Sequence, residues 1–243
     1  WSTASNWAGG AIPTANNVAV VIIPSGNVVV FDTDNVGTIG STITNNGGVN
    51  FNGSNNFTFA QVISGSGSLT KSGSNTLTLS ATNSYEGNTT ISEGAVSITN
   101  DRNLGAIPAT LDSDNIIISN GATLATGNEN VTIHANRGIY IASGTATLLK
   151  YSRKTWTLNN PISGDGGINF SDSTAVGGDG GGGGRFQLNA ANTYLGNSTI
   201  YYAGDKDPGI VINNALALQN STLIYDSSNI PNIASKWYLV IFA

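Results

Sequence analysis

QVISGSGSLTKSGSNTLTLSATNSYEGNTTISEGAVSITNDRNLG, at residues 61–105, occurs a second time in a looser form at residues 161–204. The second copy begins PISGDGGINF, passes through a glycine-rich run and ends RFQLNAANTYLGNSTIYYAG. Ile63-Ser64-Gly65 matches Ile162-Ser163-Gly164, and the block from Asn83 matches the block from Asn192. The offset between the copies grows from 99 residues at Ile63 to 109 at Asn83, which predicts that the glycine run before Arg185 belongs to an inserted loop. Self-similarity of this kind is the signature of a repeat architecture.

The rest of the chain consists largely of short runs in which every second side chain is apolar. Leu77-Thr78-Leu79, Val96-Ser97-Ile98 and Val131-Thr132-Ile133 are examples. A period of two is typical of β-strands. No stretch keeps the i, i+3, i+4, i+7 apolar spacing of a helix over three turns. The pattern therefore predicts an all-β protein with almost no helix.

Strands this short bury enough apolar surface only when they are wound as successive rungs around one continuous core. We therefore expect a parallel β-helix, or β-solenoid, of about ten or eleven coils with about 22 residues each. At about 4.8 Å per coil, it would be about 50 Å long. The many asparagines are expected to take left-handed backbone angles at the corners and to stack as amide ladders along the axis.

Three motifs stand in the first copy: I-S-G-x-G-x-L-x-K at residues 63–71, L-x-L-x-x-x-N-x-Y-x-G-x-T-x-I at 77–91 and L-G-A at 104–106. They resemble the autotransporter-associated β-strand repeat of secreted bacterial proteins. The second copy lacks the L-x-K of the first motif. Further stretches similar to this family lie elsewhere in the chain: GATLATG at 121–127, NRGI at 136–139, WTL at 156–158, and SNW through IP at 5–13.

The resemblance implies a right-handed solenoid that is secreted and works outside the cell or at its surface. It also implies that the residues defining the repeat are structural: Gly65, Gly67, Asn83, Tyr85, Gly87, Asn192, Tyr194 and Gly196. Tyr85 and Tyr194 match one another, and we interpret them as packing residues rather than as an outward aromatic ladder for sugars.

We expect a single solenoid domain over residues 1–243. Its predicted parts are N-terminal coils or a cap at 1–60, the first repeat copy at 61–106, spacer coils at 107–160, the second copy at 161–217 with an inserted loop at 171–185, and an apolar C-terminal segment at 218–243. We interpret the unbroken apolar runs near the start, Val18 to Ile23 and Val28 to Phe31, as strands that are buried on both faces or shielded near a terminus.

Composition narrows the functional classes. Charged residues make up 9% of the chain, against about 25% in ordinary soluble domains, which favours an extracellular surface of Ser, Thr, Asn and Gly. A net charge of −5 with nine dispersed basic residues argues against nucleic acid as a partner. With no Cys, disulfides and thiolate metal sites are excluded. The absence of Met predicts a removed signal peptide or a fragment of a longer protein.

No run approaches the roughly 18 apolar residues of a membrane span, so no integral span is expected. His134 is the only histidine, and we interpret it as a surface residue. The run from Gly177 to Arg185 lacks the Gly-Lys-Ser/Thr of a phosphate loop and the spaced aspartates of calcium-binding repeats. We therefore expect no cofactor and no metal.

Three pairs of aspartates two residues apart could place carboxylates together on a strand face: Asp32 with Asp34, Asp112 with Asp114, and Asp205 with Asp207. Parallel-helix lyases and hydrolases use such pairs. All three pairs stand in stretches that we interpret as turns, where capping is the simpler role. We expect that the chain is not an enzyme.

The most apolar stretch is close to the C-terminus, and left exposed it would be an adhesive edge strand. It must pair internally or with a neighbouring subunit, so its residues are the candidates for self-association: Trp237, Tyr238, Leu239, Val240, Ile241 and Phe242.

We expect an extracellular structural protein, a rigid rod that forms homo-oligomers or a filament or sheath by self-association. Two other functions stay open. One is an adhesin of the passenger type that binds glycans or a host surface through the loop at 171–185. The other is a polysaccharide lyase or hydrolase, because fold alone does not settle function.

Overall fold

The structure, a computed structural model, describes residues 3–14, 16–32, 42–151, 153–173, 184–201, 209–226 and 240–241. These residues wind into a parallel β-solenoid with three faces, and the strand pairs of all four sheets are parallel. The longest sheet has eight strands, which corresponds to about eight turns. The predicted fold class is confirmed.

The first face carries two sheets. The three-stranded sheet consists of β1 (Val20–Ile23), β3 (Thr42–Asn45) and β6 (Ile63–Ser64). The five-stranded sheet consists of β13 (Val131–Ile133), β16 (Trp156–Leu158), β19 (Phe186–Leu188), β21 (Ile210–Ile212) and β23 (Val240–Ile241). Between them, Asn83 stacks on the 3-10 helix Asp101–Leu104 by donating from its backbone N–H to the Arg102 carbonyl, 2.8 Å away. That helix in turn contacts β13.

The second and third faces are continuous sheets. The second face has seven strands: β2 (Val28–Phe31), β4 (Gly48–Phe51), β7 (Ser68–Lys71), β9 (Thr89–Ile91), β11 (Asp112–Ile118), β14 (Arg137–Ile141) and β17 (Ile162–Gly164). The third face has eight strands: β5 (Phe57–Phe59), β8 (Thr76–Leu79), β10 (Ala95–Ile98), β12 (Thr123–Thr126), β15 (Thr145–Lys150), β18 (Gly167–Asp172), β20 (Ser198–Tyr201) and β22 (Leu223–Asp226).

Helix in the described residues is limited to 3-10 turns at Ala4–Asn6 and Asp101–Leu104. None of the helices found there is long and apolar enough to cross a membrane.

The turns differ in length. Leu69 pairs with Thr89, 20 positions later, whereas Ile168 pairs with Ser198, 30 positions later. Turns longer than the expected 22 residues explain why the chain makes about eight turns and not the predicted ten or eleven.

Inward-facing side chains form one apolar column along the axis. Strands such as β8 and β10 alternate between buried and partly exposed residues. Aromatic rings stack near the start of the column, where the centroids of Phe31 and Phe51 lie 4.9 Å apart. Burial of this column is the main stabilising contribution, at about 25 cal/mol per Å² of apolar surface.

The first strands are not buried on both faces, so the first of the two alternatives from the sequence is wrong. Val21 and Ile23 are in the core, but Val20 is 45% and Ile22 64% exposed. In β2, Val28 is also 64% exposed. A strand of a solenoid has one inward and one outward face, so an unbroken apolar run places half of its side chains in solvent.

Two lysines lie in the core. The Lys71 ammonium donates to the Gly73 carbonyl, and burial outweighs the attraction of Glu93, lowering the pKa of Lys71 to about 8. Lys150 Nζ lies 2.5 Å from Asp172 Oδ2 in a buried ion pair.

The two repeat copies are rotated by one face relative to each other. In the first copy, β6, β7 and β8 lie on the first, second and third faces. In the second copy, the matching strands β17, β18 and β19 lie on the second, third and first faces. Equivalent residues of the two copies therefore point in different directions, and they cannot form one continuous outward ladder.

Asparagine stacks along the axis as predicted, but it does not take left-handed backbone angles in the described residues. Asn213 Nδ2 donates to Asn189 Oδ1, and Asn189 Nδ2 donates to Asn159 Oδ1, each at 2.7 Å. The prediction of left-handed asparagines is wrong for the described residues, where Arg153 is the one non-glycine residue with positive φ. Glycines such as Gly65 take those corners instead.

Candidate functional site

Asn83 and Asn192, the matching asparagines of the two copies, link three successive turns. Asn83 Oδ1 accepts from the Ile63 N–H at 2.9 Å, and its Nδ2 donates to the Asn103 carbonyl at 2.6 Å. Asn192 Oδ1 accepts from the Ile162 N–H at 2.8 Å, and its Nδ2 donates to the Ala217 carbonyl at 2.9 Å. Both side chains are buried. Each amide side chain therefore makes hydrogen bonds between turns at a place where the backbone ladder of the strands is interrupted.

Tyr85 and Tyr194 are each 1% exposed. The Tyr85 hydroxyl lies 2.7 Å from Thr89 Oγ1, and the Tyr194 hydroxyl contacts Ser198 Oγ. Burial raises the pKa of Tyr85 to about 12 and raises that of Tyr194 above its ordinary value. The structure thus places both rings in the core, as packing residues, where they offer no face to a sugar.

The repeat glycines stand where the backbones of neighbouring turns approach closely. A Cβ at Gly87 would lie 2.6 Å from the Gly67 carbonyl oxygen, and one at Gly196 would lie 2.3 Å from the Gly167 nitrogen. Gly65 has φ +94°, a backbone conformation that is strained for any residue with a side chain. All three positions require glycine for the stacking of turns, which is a structural role.

Arg137, of the NRGI stretch, is the most densely hydrogen-bonded side chain of the described residues. Its guanidinium is fully buried and donates to the carbonyls of Leu104, Gly105 and Ala106, at 2.9, 3.1 and 3.0 Å. It also donates to Asn115 Oδ1 at 2.5 Å. The NRGI stretch thereby holds the closing L-G-A motif of the first repeat copy.

An ion pair completes this junction. Arg137 Nε lies 2.9 Å from Asp101 Oδ1. Next to it, Asn136 Nδ2 donates to the Pro108 carbonyl at 2.9 Å. A buried guanidinium is tolerable only when its charge and its N–H groups find partners, and here both conditions are met.

A polar cleft opens on the first face beside this junction, where the two sheets of that face are separated by the 3-10 helix. Its volume is about 440 Å³. Side chains from three successive turns line it: Asn100, Asp101, Arg102, Ile107, Asn130, Thr132, His134 and Asn159. Seven of these eight residues are polar or charged, and we call the cavity the amide cleft.

Four lining side chains, Asn100, Asn130, His134 and Asn159, already use an acceptor atom within the protein, while Asp101 Oδ2 is buried without a partner. The contacts are Arg102 N–H to Asn100 Oδ1 at 2.9 Å, Thr155 N–H to Asn130 Oδ1 at 2.8 Å, Asn136 N–H to His134 Nδ1 at 3.1 Å, and Asn189 Nδ2 to Asn159 Oδ1 at 2.7 Å. A backbone N–H can only donate, so the first three contacts fix which side-chain atom points inward. The remaining amide N–H groups and the imidazole Nε2–H are therefore available to donate to a ligand in the cleft.

His134 is exposed, as the sequence predicted, and it lies in the wall of the amide cleft. The described residues contain no cluster of three or more His, Cys, Asp or Glu side chains that could hold a metal ion.

The aspartate pairs are only partly described. Asp112 and Asp114 lie in β11, so the interpretation of this pair as a turn is wrong. Their carboxyls share a hydrogen bond, which together with partial burial and the Asp112 charge raises the pKa of Asp114. Asp32 is exposed directly after β2. Asp34, Asp205 and Asp207 lie outside the described residues.

A second cavity lies at the start of the coil. It is a groove of about 790 Å³ between the segment around Trp7 and Pro13 and the exposed strands β1 and β2. Val20, Ile22 and Val28 give it an apolar wall. β1 and β2 are also the terminal strands of their sheets among the described residues.

The candidates for self-association and the inserted loop are described only at their edges. Of the terminal segment, Val240 and Ile241 form β23 and pair with Val211 and Ile212. Trp237, Tyr238, Leu239 and Phe242 lie outside the described residues. The same holds for residues 174–183 of the loop predicted at 171–185, while its first two residues belong to β18.

Sequence reasoning named Arg137 as part of a motif but gave it no role, and it missed Arg102, Asn130 and Asn159. One signal was present. Asn159, Asn189 and Asn213 each directly follow the last apolar residue of a short strand, and this spacing predicts an amide ladder. No pattern in the single sequence indicates that Arg102 lies next to this ladder.

A family model, the passenger-associated-transport-repeat, matches residues 69–98. This segment runs from β7 through β8 and β9 to the end of β10, within the first repeat copy. Comparisons with curated proteins and with solved structures give no match. The chain is therefore a parallel β-solenoid that carries a passenger-associated-transport-repeat, and it fits the autotransporter-associated repeat family that its sequence resembles.

Proposed function

We propose that the chain is a secreted, rigid β-solenoid module with a structural task, and that its copies join end to end into a filament or sheath. The observation that supports this is at the start of the coil, where β1 is the terminal strand of its sheet among the described residues and Val20, Ile22 and Val28 are exposed. A terminal strand with exposed apolar side chains is a template for another strand.

The opposite end of the coil has complementary chemistry. β23 is the terminal strand of its sheet in the described residues, and the surrounding sequence, residues 237–242, is the most apolar of the chain. A contact between two different ends of identical subunits continues in one direction and builds a filament. Continuing the parallel ladder across the contact would satisfy both edges at once.

Secretion is part of this proposal. It is supported by the matched family, which is associated with secreted autotransporter passengers. The low charge content and the absence of Cys and Met also suit a long-lived extracellular object.

We further propose that the module acts without catalysis. The cation that neighbours the Asp112 and Asp114 pair is Arg137, which pairs with Asp112 in the next strand. Its guanidinium is buried and committed to backbone carbonyls. A catalytic site would instead leave such a cation free to face a substrate.

Sedimentation velocity over a dilution series tests the end-to-end contact. We expect wild-type chain to form species that grow with concentration, and Ile22→Lys to stay monomeric because it places a charge at the open edge. Leu195→Lys is the matched control, since Leu195 is 60% exposed but lies in the body of the coil. A monomeric wild type, or equal association of all three proteins, would contradict the proposal.

A further inference from the structure

We propose that the amide cleft binds an acidic glycan through its oxyanion, a carboxylate or a sulfate ester. This goes beyond the structural role above and does not depend on self-association. The observation that supports it is that four side chains of the cleft have an acceptor atom hydrogen-bonded within the protein: Asn100, Asn130, His134 and Asn159.

Three kinds of N–H group remain for a ligand. Within the described part of the chain, no protein acceptor is in contact with the Nδ2 of Asn130, the Nδ2 of Asn159 or the Arg102 guanidinium. His134 Nδ1 accepts a hydrogen bond, so its neutral ring carries the proton on Nε2. The Thr132 hydroxyl in the lining can either donate or accept. A site that offers more free donors than acceptors favours a ligand group that only accepts, and an oxyanion is such a group.

The local charge of the cleft also favours an anionic ligand, even though the net charge of the chain is −5. The carboxylate in the lining, Asp101, is neutralised by Arg137 at 2.9 Å. Arg102 therefore stands as a positive charge without an ion-pair partner among the described residues. Its backbone is held in place because its carbonyl accepts from Asn83 N–H at 2.8 Å, so part of the ordering entropy of binding is already lost.

The rest of the lining favours a glycan as the carrier of this group. Ile107 is its one apolar side chain, and the other lining residues are polar or charged. A peptide or a lipid would need apolar surface to bury, whereas sugar hydroxyls need hydrogen-bonding groups. A volume of about 440 Å³ lies within the roughly 300–1,000 Å³ of ligand pockets. The ladder from Asn159 to Asn213 extends this polar surface along the axis.

Calorimetric titration with oligosaccharide probes tests the proposal. The probes are a short uronic acid oligomer, its methyl ester, which has the same sugar ring without the charge, and a sulfated oligosaccharide. Free sulfate and free acetate are titrated as well. We expect at least one anionic oligosaccharide to bind, and the methyl ester to bind about tenfold more weakly or not at all. Which anionic probe binds more tightly identifies the source of the oxyanion.

Three variants place the binding in the cleft. Arg102→Gln removes the charge, and Asn159→Asp keeps the acceptor for Asn189 but replaces the outward donor by a carboxylate. Both are expected to weaken binding about tenfold or more. Arg185→Gln makes the same charge change at an exposed residue outside the cleft and is expected to leave the affinity within about twofold. Far-UV circular dichroism checks that each variant is folded.

Four results would overturn the proposal. They are no binding of either anionic oligosaccharide, equal binding of the methyl ester, equal weakening by Arg185→Gln, or free sulfate bound as tightly as the oligosaccharides, which would mean an adventitious ion only.

Discussion

The Arg137 guanidinium donates to the Leu104 carbonyl at 2.9 Å, across one turn of the solenoid. The same guanidinium pairs with Asp101 and binds two further carbonyls of the L-G-A motif. This one side chain thus connects the end of the first repeat copy to the spacer coils, at the point where the first face changes from strand to 3-10 helix.

We predict that Arg137→Met lowers the free energy of unfolding by about 3–5 kcal/mol, because it leaves the Asp101 carboxylate and several carbonyls buried without a donor. Urea unfolding followed by circular dichroism measures the change. Arg185→Met, at an exposed arginine, is the control and is expected to change it by less than about 0.5 kcal/mol. If both variants are equally stable, the junction does not hold the turns together.

The two repeat asparagines give a paired prediction. Asn83→Ala and Asn192→Ala each remove a bridge between turns, and each is expected to cost about 1–3 kcal/mol of unfolding free energy. The effects should be alike, because the two side chains make the same contacts on different faces. Asn128→Ala, at an exposed position, should be neutral. A loss at one repeat asparagine and none at the other would show that the copies are not structurally equivalent.

Lys71 predicts a pH dependence of stability. Its pKa is about 8 in the folded chain against 10.5 for an ordinary lysine, so between these values the folded state has released a proton that the unfolded state still holds. The stability that Lys71 contributes is therefore complete above about pH 10.5 and is lost as the pH falls through about 8. We expect the unfolding free energy of wild type to rise relative to Lys71→Met between pH 7 and pH 10.

The measurement is urea unfolding of both proteins at several pH values in that range. Lys154→Met serves as the control for the loss of a lysine outside the core, since Lys154 is partly exposed. A constant difference between wild type and Lys71→Met across the range would contradict the burial of a titrating ammonium.

The sequence was sufficient for the features that depend on local pattern. Alternation in stretches such as Thr76–Leu79 predicted strands, and the matching of Asn83 with Asn192 predicted equivalent positions. Short strands without helix predicted a solenoid, because no other arrangement buries them well. The exposed side of β1 was missed because an apolar run does not show which of its residues face outward.

Features that depend on how many residues each turn contains could not be predicted. The copies are rotated by one face because the spacer turns differ in length, and a one-dimensional alignment does not contain this rotation. The amide cleft combines Arg102, Asn130 and Asn159 from three turns, so its members are neighbours only once the turn lengths are known. The left-handed backbone angles expected of asparagine belong to glycine among the described residues, apart from Arg153, because glycine takes positive φ without steric strain.

We propose that copies of this solenoid join end to end as structural units. Negative-stain electron microscopy of the wild-type chain over a dilution series tests it most directly. We expect filaments at high concentration that shorten on dilution toward rods of about 40 Å, the length of about eight turns at about 4.8 Å each. Single rods of one length at every concentration would contradict it.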